Sequence, residues 1–132
     1  MSPFPPLNID LLQFFKTGKF DCIKLGQTKE LILNNCPQPD DFGIGTTVEN
    51  SLIWYYGGIE LHFNKLSQLF LIYSDNLKYI KSTNTIKLNK WILSSNRVLT
   101  LQSVIRHLNN EKIDFAKHTN THLRMSHLLS LF

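Results

Sequence analysis

Apolar positions along the chain recur with two different periods. In NIDLLQFFKTGKF, Ile9, Leu12 and Phe15, joined by Leu11, fall on one face at helical spacing, with Asn8 where an N-cap belongs and Gly18 where a helix stops. The SPFPP before it is not helical, because proline lacks an amide donor and holds its predecessor extended. LGQTKELILNNCPQPDD predicts a second short helix starting at Thr28, whose hydroxyl can accept the amide of Glu30 or Leu31. Leu25, Leu31, Ile32 and Cys36 form its apolar side, Pro37 ends it, and CPQPDDFGIG follows as a loop.

The period then shortens to two. SLIWYYGGIELHF reads as two strands around Gly57-Gly58, a pair that accepts the positive φ of a tight turn; one long strand with a glycine bulge is the rival. On the second arm Ile59, Leu61 and Phe63 alternate with Glu60 and His62, which places the acid and the histidine on the wetter face. QLFLIYSD is a further strand, with Leu69, Leu71 and Tyr73 on one side and Phe70 and Ile72 on the other, so it is central or covered by helix. Ser74 to Asn84 is loop or edge. TIKLNKWIL is expected as an edge strand, with Ile86, Leu88 and Trp91 or Ile92 inward and lysines outward. Thr100 caps a third helix, TLQSVIRHLNNEKI, whose Leu101, Val104, Ile105 and Leu108 share a face. DFAKHTN and THLRMSHLLSLF are the last strand candidates, although LLSLF also fits a helical end. The expected architecture is α+β, with one domain over residues 1–132 built from two tandem α-β-β units, about 8–75 and about 85–132. Their helices pack on one face of an antiparallel sheet.

Two stretches carry a resemblance. Gly26-Gln27-Thr28-Lys29-Glu30 through Pro39, followed by Trp54-Tyr55-Tyr56-Gly57, resembles the glycine-threonine-apolar-proline and W-x-Y signature of the α-β-β proteins that include the SmpA/OmlA lipoproteins and the β-lactamase-inhibitor-like folds. KLGQTKELILNNCPQPDD and IWYYGGIELHF look most like cytoplasmic bacterial relatives of unknown function, some in toxin-immunity neighbourhoods. The likeness covers residues 23–75 and is faint over 100–132. It implies that the glycine, threonine and proline serve as turn, cap and stop. Pro37 replaces the motif's helix-ending glycine, and no lipobox cysteine stands near the N-terminus, so the lipoprotein role does not carry over.

Composition narrows the classes. A 132-residue chain that is 42% hydrophobic and 18% charged can bury roughly two thirds of its unfolded surface without metal or disulfide staples. No stretch approaches the roughly 20 apolar residues of a membrane span. The start MSPFPPLNIDLLQFF lacks the basic and uninterrupted apolar regions of a secretory signal, so a cytoplasmic protein is expected. Cys22 and Cys36 have no zinc spacing and are expected as two reduced, largely buried thiols, a disulfide being allowed but not implied. The net charge of +4 is unevenly shared: residues 1–75 hold five lysines against eight acids, and residues 76–132 hold nine basic residues against two acids. Such an asymmetry can mark nucleic acid or an acidic partner, but the basic residues are singly spaced, as on an ordinary solvated face.

Candidate chemistry is sparse. GIGTT lacks the lysine and preceding strand of a phosphate loop. Asp40-Asp41 fits Asx turns better than a carboxylate pair. His118, His122 and His127 have no accompanying carboxylate or thiolate, so no metal and no cofactor are expected. Glu60 and His62 point the same way and suit an acid/base pair or a contact patch. No catalytic motif emerges, and a non-enzyme is expected. The leading reading is a small protein-binding module, such as an immunity or inhibitor protein acting by steric occlusion, with Phe42, Trp54, Tyr56, Glu60 and His62 at the contact. Its partner is another protein, and the chain is a monomer or homodimer. The alternative is a binder of nucleic acid or acidic surfaces using Lys78, Lys81, Lys87, Lys90, Arg97, Arg106 and Lys117.

Overall fold

In a computed structural model, Asp10 decides where the first helix begins. Its Oδ1 accepts the amides of Leu12 at 3.0 Å and Gln13 at 3.4 Å, so α1 runs Leu11–Thr17. The expected cap at Asn8 is therefore two residues early, and the preceding Leu7–Asp10 is a strand, β1, with Leu7 and Ile9 buried. Gly18 closes α1 in the left-handed conformation, φ 76°, its amide donating to Phe14 at 2.8 Å. The structure describes residues 3–74, 80–93, 100–117, 122–125 and 128–131, and from residue 116 onward the backbone alone. Helix α2, Lys29–Asn35, starts as expected at Thr28, whose hydroxyl accepts the Leu31 amide at 3.2 Å, and it stops at Cys36 before Pro37. Ile32 and Cys36 face inward, whereas Leu31 lies on the outer side of α2 and Leu25 in the turn before it, and both are exposed.

Strands β2 (Asp41–Gly43), β3 (Ile53–Tyr56), β4 (Ile59–Phe63) and β5 (Leu69–Ser74) form an antiparallel meander. The hairpin at Gly57-Gly58 is present, Gly57 taking φ 59° and Tyr56 pairing with Ile59. A bulge changes the phase of β5: His62 faces Leu71 and Phe63 faces Leu69, which leaves Phe70 without an opposite residue. Leu69, Ile72 and Ser74 consequently point inward, not the Leu69-Leu71-Tyr73 set that strict alternation gives. Strand β5 pairs in parallel with β9 (Leu128–Leu131), and β8 (His122–Met125) and β7 (Phe115–Lys117) follow antiparallel, giving a seven-stranded sheet in the order β2-β3-β4-β5-β9-β8-β7.

The edge strand expected from TIKLNKWIL shortens to β6, Ile86–Asn89, and lies outside that sheet: it pairs in parallel with β1, Leu7 opposite Ile86. A short 3-10 turn, Trp91–Leu93, follows it, and then α3, Leu101–Asn110, capped by Thr100. The fold is α+β. Buried side chains of α1, α2 and α3 join one cluster with the inward residues of β3 to β5, so the helices cover that sheet face. The seven-stranded sheet holds a parallel seam, and α1 precedes both helix-and-meander stretches.

Cys22 and Cys36 form a disulfide, with Cα atoms 6.4 Å apart and a separation of 14 positions in sequence. This corrects the expectation of free thiols. The link became possible because Cys36 caps α2 facing the core, against the connector that carries buried Phe20 and Ile23.

Candidate functional site

The two-residue turn sets which residues of the hairpin face out. Because Tyr56 opposes Ile59 and Trp54 opposes Leu61, all four share the inward face with Phe63. Trp54 and Tyr56 are 0% exposed. The Trp54 indole Nε1 donates to the Val48 carbonyl at 2.8 Å and its ring meets Phe63 edge-on at 4.6 Å. The Tyr56 hydroxyl donates to the Pro37 carbonyl at 2.6 Å. Both are therefore removed from the expected contact surface. Phe42, opposite Trp54 on β2, is half-buried and packs against the core.

The outward face carries a different set. Two rows cross β3, β4 and β5: Ile53, His62 and Leu71 in one, and Tyr55, Glu60 and Tyr73 in the other. All six are half-buried, and the bulged Phe70 beside them is 55% exposed. His62 Nε2 lies 3.0 Å from Glu60 Oε1, and the His62 ring stands edge-on to Phe70 at 6.4 Å and Tyr73 at 5.9 Å. Gly43 lets the Tyr55 ring lie across β2, since a Cβ there would sit 3.3 Å from the phenol oxygen. Glu60 and His62 thus stand together on the outward face, as expected, within an aromatic surround. Tyr55 shares the parity of Glu60 and was accessible to pattern reasoning, but Phe70 reaches this surface only through a bulge that leaves no mark in the alternation.

At the hairpin end this face runs into a cleft of ≈ 700 Å³ whose lining includes Asp40, Tyr55, Glu60, Lys81 and Thr83. Asp40 is committed to holding the cleft together: its Oδ2 accepts the Gly57 amide at 2.7 Å and the Thr83 hydroxyl at 2.9 Å. Asp41 Oδ1 accepts the Phe42 amide at 2.8 Å, so the adjacent aspartates are turn builders. In GIGTT the Thr46 and Thr47 amides donate to Asn50 Oδ1 at 2.8 and 2.9 Å, which leaves them unavailable to a phosphate.

Of the basic set, Lys81, Lys87 and Arg106 are exposed and Lys90 is half-buried. Burial first, and then the charge of Lys81, hold the Lys90 ammonium below the ordinary lysine value. Lys117 lies on β7, described by its backbone, while Lys78 and Arg97 lie outside the described residues. Among the described residues no group of three or more histidine, cysteine or acidic side chains is placed to hold a metal, His118 and His127 lying outside them. Among the same residues no helix is long and apolar enough to cross a membrane. Compared with known proteins, the chain matches no family model, no curated sequence and no solved structure, so the likeness to the SmpA/OmlA and β-lactamase-inhibitor folds rests on its motif residues alone.

Proposed function

We propose that the chain is a non-catalytic protein-binding module that recognises its partner with the outward face of β3, β4 and β5. The supporting observation is the cluster of Tyr55, His62, Phe70, Leu71 and Tyr73 around one Glu60–His62 pair, with Phe70 the most exposed of the set. Aromatic side chains of this kind supply large contact area at small entropic cost and dominate binding hot spots. The carboxylates beside the cluster, Glu60 and Asp41, belong to the acidic first half of the chain, so the complementary partner presents a basic surface. Occlusion of that surface is the mode of action, as in an inhibitor or immunity protein.

The test is capture from host lysate by the purified chain, washed at low and high salt, beside the Phe70→Ser and Lys87→Glu variants. A partner retained at high salt by the wild type and by Lys87→Glu, but bound about 30-fold more weakly by Phe70→Ser, supports the reading. Equal retention by Phe70→Ser overturns it. The nucleic-acid reading has in its favour the positive charge that Lys81 presents to Lys90. It requires nucleic acid that leaves steeply with salt, and losing that binding in Lys81→Glu.

A further inference from the structure

Lys29 is a lysine placed as few lysines are. It occupies the first turn of α2 yet is only 6% exposed, its ammonium donating to the Glu49 carbonyl at 3.1 Å and lying 5.4 Å from the centre of the Phe63 ring. A carbonyl and a ring face satisfy part of its donor capacity and supply no counter-charge. Among the described residues no carboxylate lies within ion-pair distance of it. Lys29 also forms part of the wall of a cavity of ≈ 540 Å³, together with Thr28, Leu33, Glu49, Leu66 and Ser67.

The geometry points to Lys29 as an amine that captures small carbonyl compounds as imines within this cavity, independently of the outward sheet face. The neutral amine nitrogen attacks the carbonyl carbon, forming the C–N bond while the C=O π pair moves to oxygen. Both amine hydrogens then leave with that oxygen as water, giving the C=N bond with no change in oxidation state. Burial favours the neutral form that such attack needs, and it holds the Lys29 ammonium below the ordinary lysine value. Glu30 and Glu49 line the same cavity and turn away anions, so the compound that enters is uncharged or cationic. Leu33 and Leu66 add apolar wall, which selects a short alkyl carbonyl.

The experiment uses the full chain with limiting butanal and cyanoborohydride at neutral pH, read by peptide mass mapping. The other lysines serve as internal references, exposed Lys65 and Lys112 above all. Labelling of Lys29 about tenfold above that of those two is the expected result, because burial leaves a larger share of this amine neutral than of an exposed one. Labelling no greater than theirs overturns the proposal. Leu66→Trp, which narrows the cavity from an exposed position, separates cavity capture from general reactivity. It is expected to cut labelling at Lys29 alone, and undiminished labelling in that variant also overturns the proposal.

Discussion

The Tyr56 hydroxyl ties the strap between α2 and β2 to the middle of the sheet through its bond to the Pro37 carbonyl. Burial first, and then the negative charge of Asp40, hold this phenol well above the ordinary tyrosine value of 10.0. The fold keeps the phenol protonated while the unfolded chain loses the proton, so stability present below that ordinary value is lost as the pH rises above it. Tyr56→Phe is expected to cost about 1–2 kcal/mol near neutrality, where a buried acceptor is left unpaired, and to make the alkaline decline shallower. Urea melts across the alkaline range check both; an unchanged decline assigns the titration to another group. Whether Tyr56 was core or contact was in fact legible. A two-residue turn after Tyr56 puts it opposite Ile59, and hence on the face of Leu61 and Phe63. Taking Trp54 and Tyr56 as contact anchors overlooks that pairing rule, whereas placing Glu60 and His62 outward follows it.

At the scale of the element, the hairpin depends on Gly57. It holds a positive φ, and a Cβ there would come 2.9 Å from the Lys81 carbonyl oxygen and 3.2 Å from Ile86 Cγ2. Gly57→Ala is expected to destabilise by about 2 kcal/mol, from left-handed backbone strain and displacement of the Lys81 segment together. Denaturant titration measures it, and a change within about 0.5 kcal/mol, the range of an ordinary surface substitution, shows that the segment yields. Helix caps were readable because each depends on one side chain: Thr28 and Thr100 lie where expected. The start of α1 was not, because Asn8 and Asp10 both suit a cap and only the pairing of β1 with β6 chooses between them. That pairing joins residues nearly eighty positions apart, which local periodicity does not carry. The bulge at Phe70 escaped for the same reason, since it arises from how β4 and β5 are joined and not from either strand.

For the whole molecule, the Cys22–Cys36 bond fastens the connector after α1 to the end of α2. In the chain-entropy account a closed loop of this length contributes about 3 kcal/mol. The double variant Cys22→Ser/Cys36→Ser is expected to lose about that much in a chemical melt, and a reducing agent to bring the wild type to the same midpoint. Coincidence of the oxidised and reduced wild-type melts shows that the cysteines are not linked. The α+β class was legible because helical and strand periods alternate cleanly, and the order of strands was not, because two of the junctions that define it, β1 with β6 and β5 with β9, are parallel and distant in sequence.

Those two junctions govern how the chain comes together in time. Leu7 and Ile9 reach their partners when Ile86 and Leu88 have been made, and Ile72 reaches its neighbour across the seam when Leu128 has. A chain growing from the ribosome can close the β3-β4 hairpin early, from residues close in sequence. It must carry the apolar β1 unpaired until β6 has been made, and the free side of β5 unpaired until β9 has. Holding such edges away from neighbouring chains is then a demand on the cell during manufacture, and one that ends when β6 and β9 have docked.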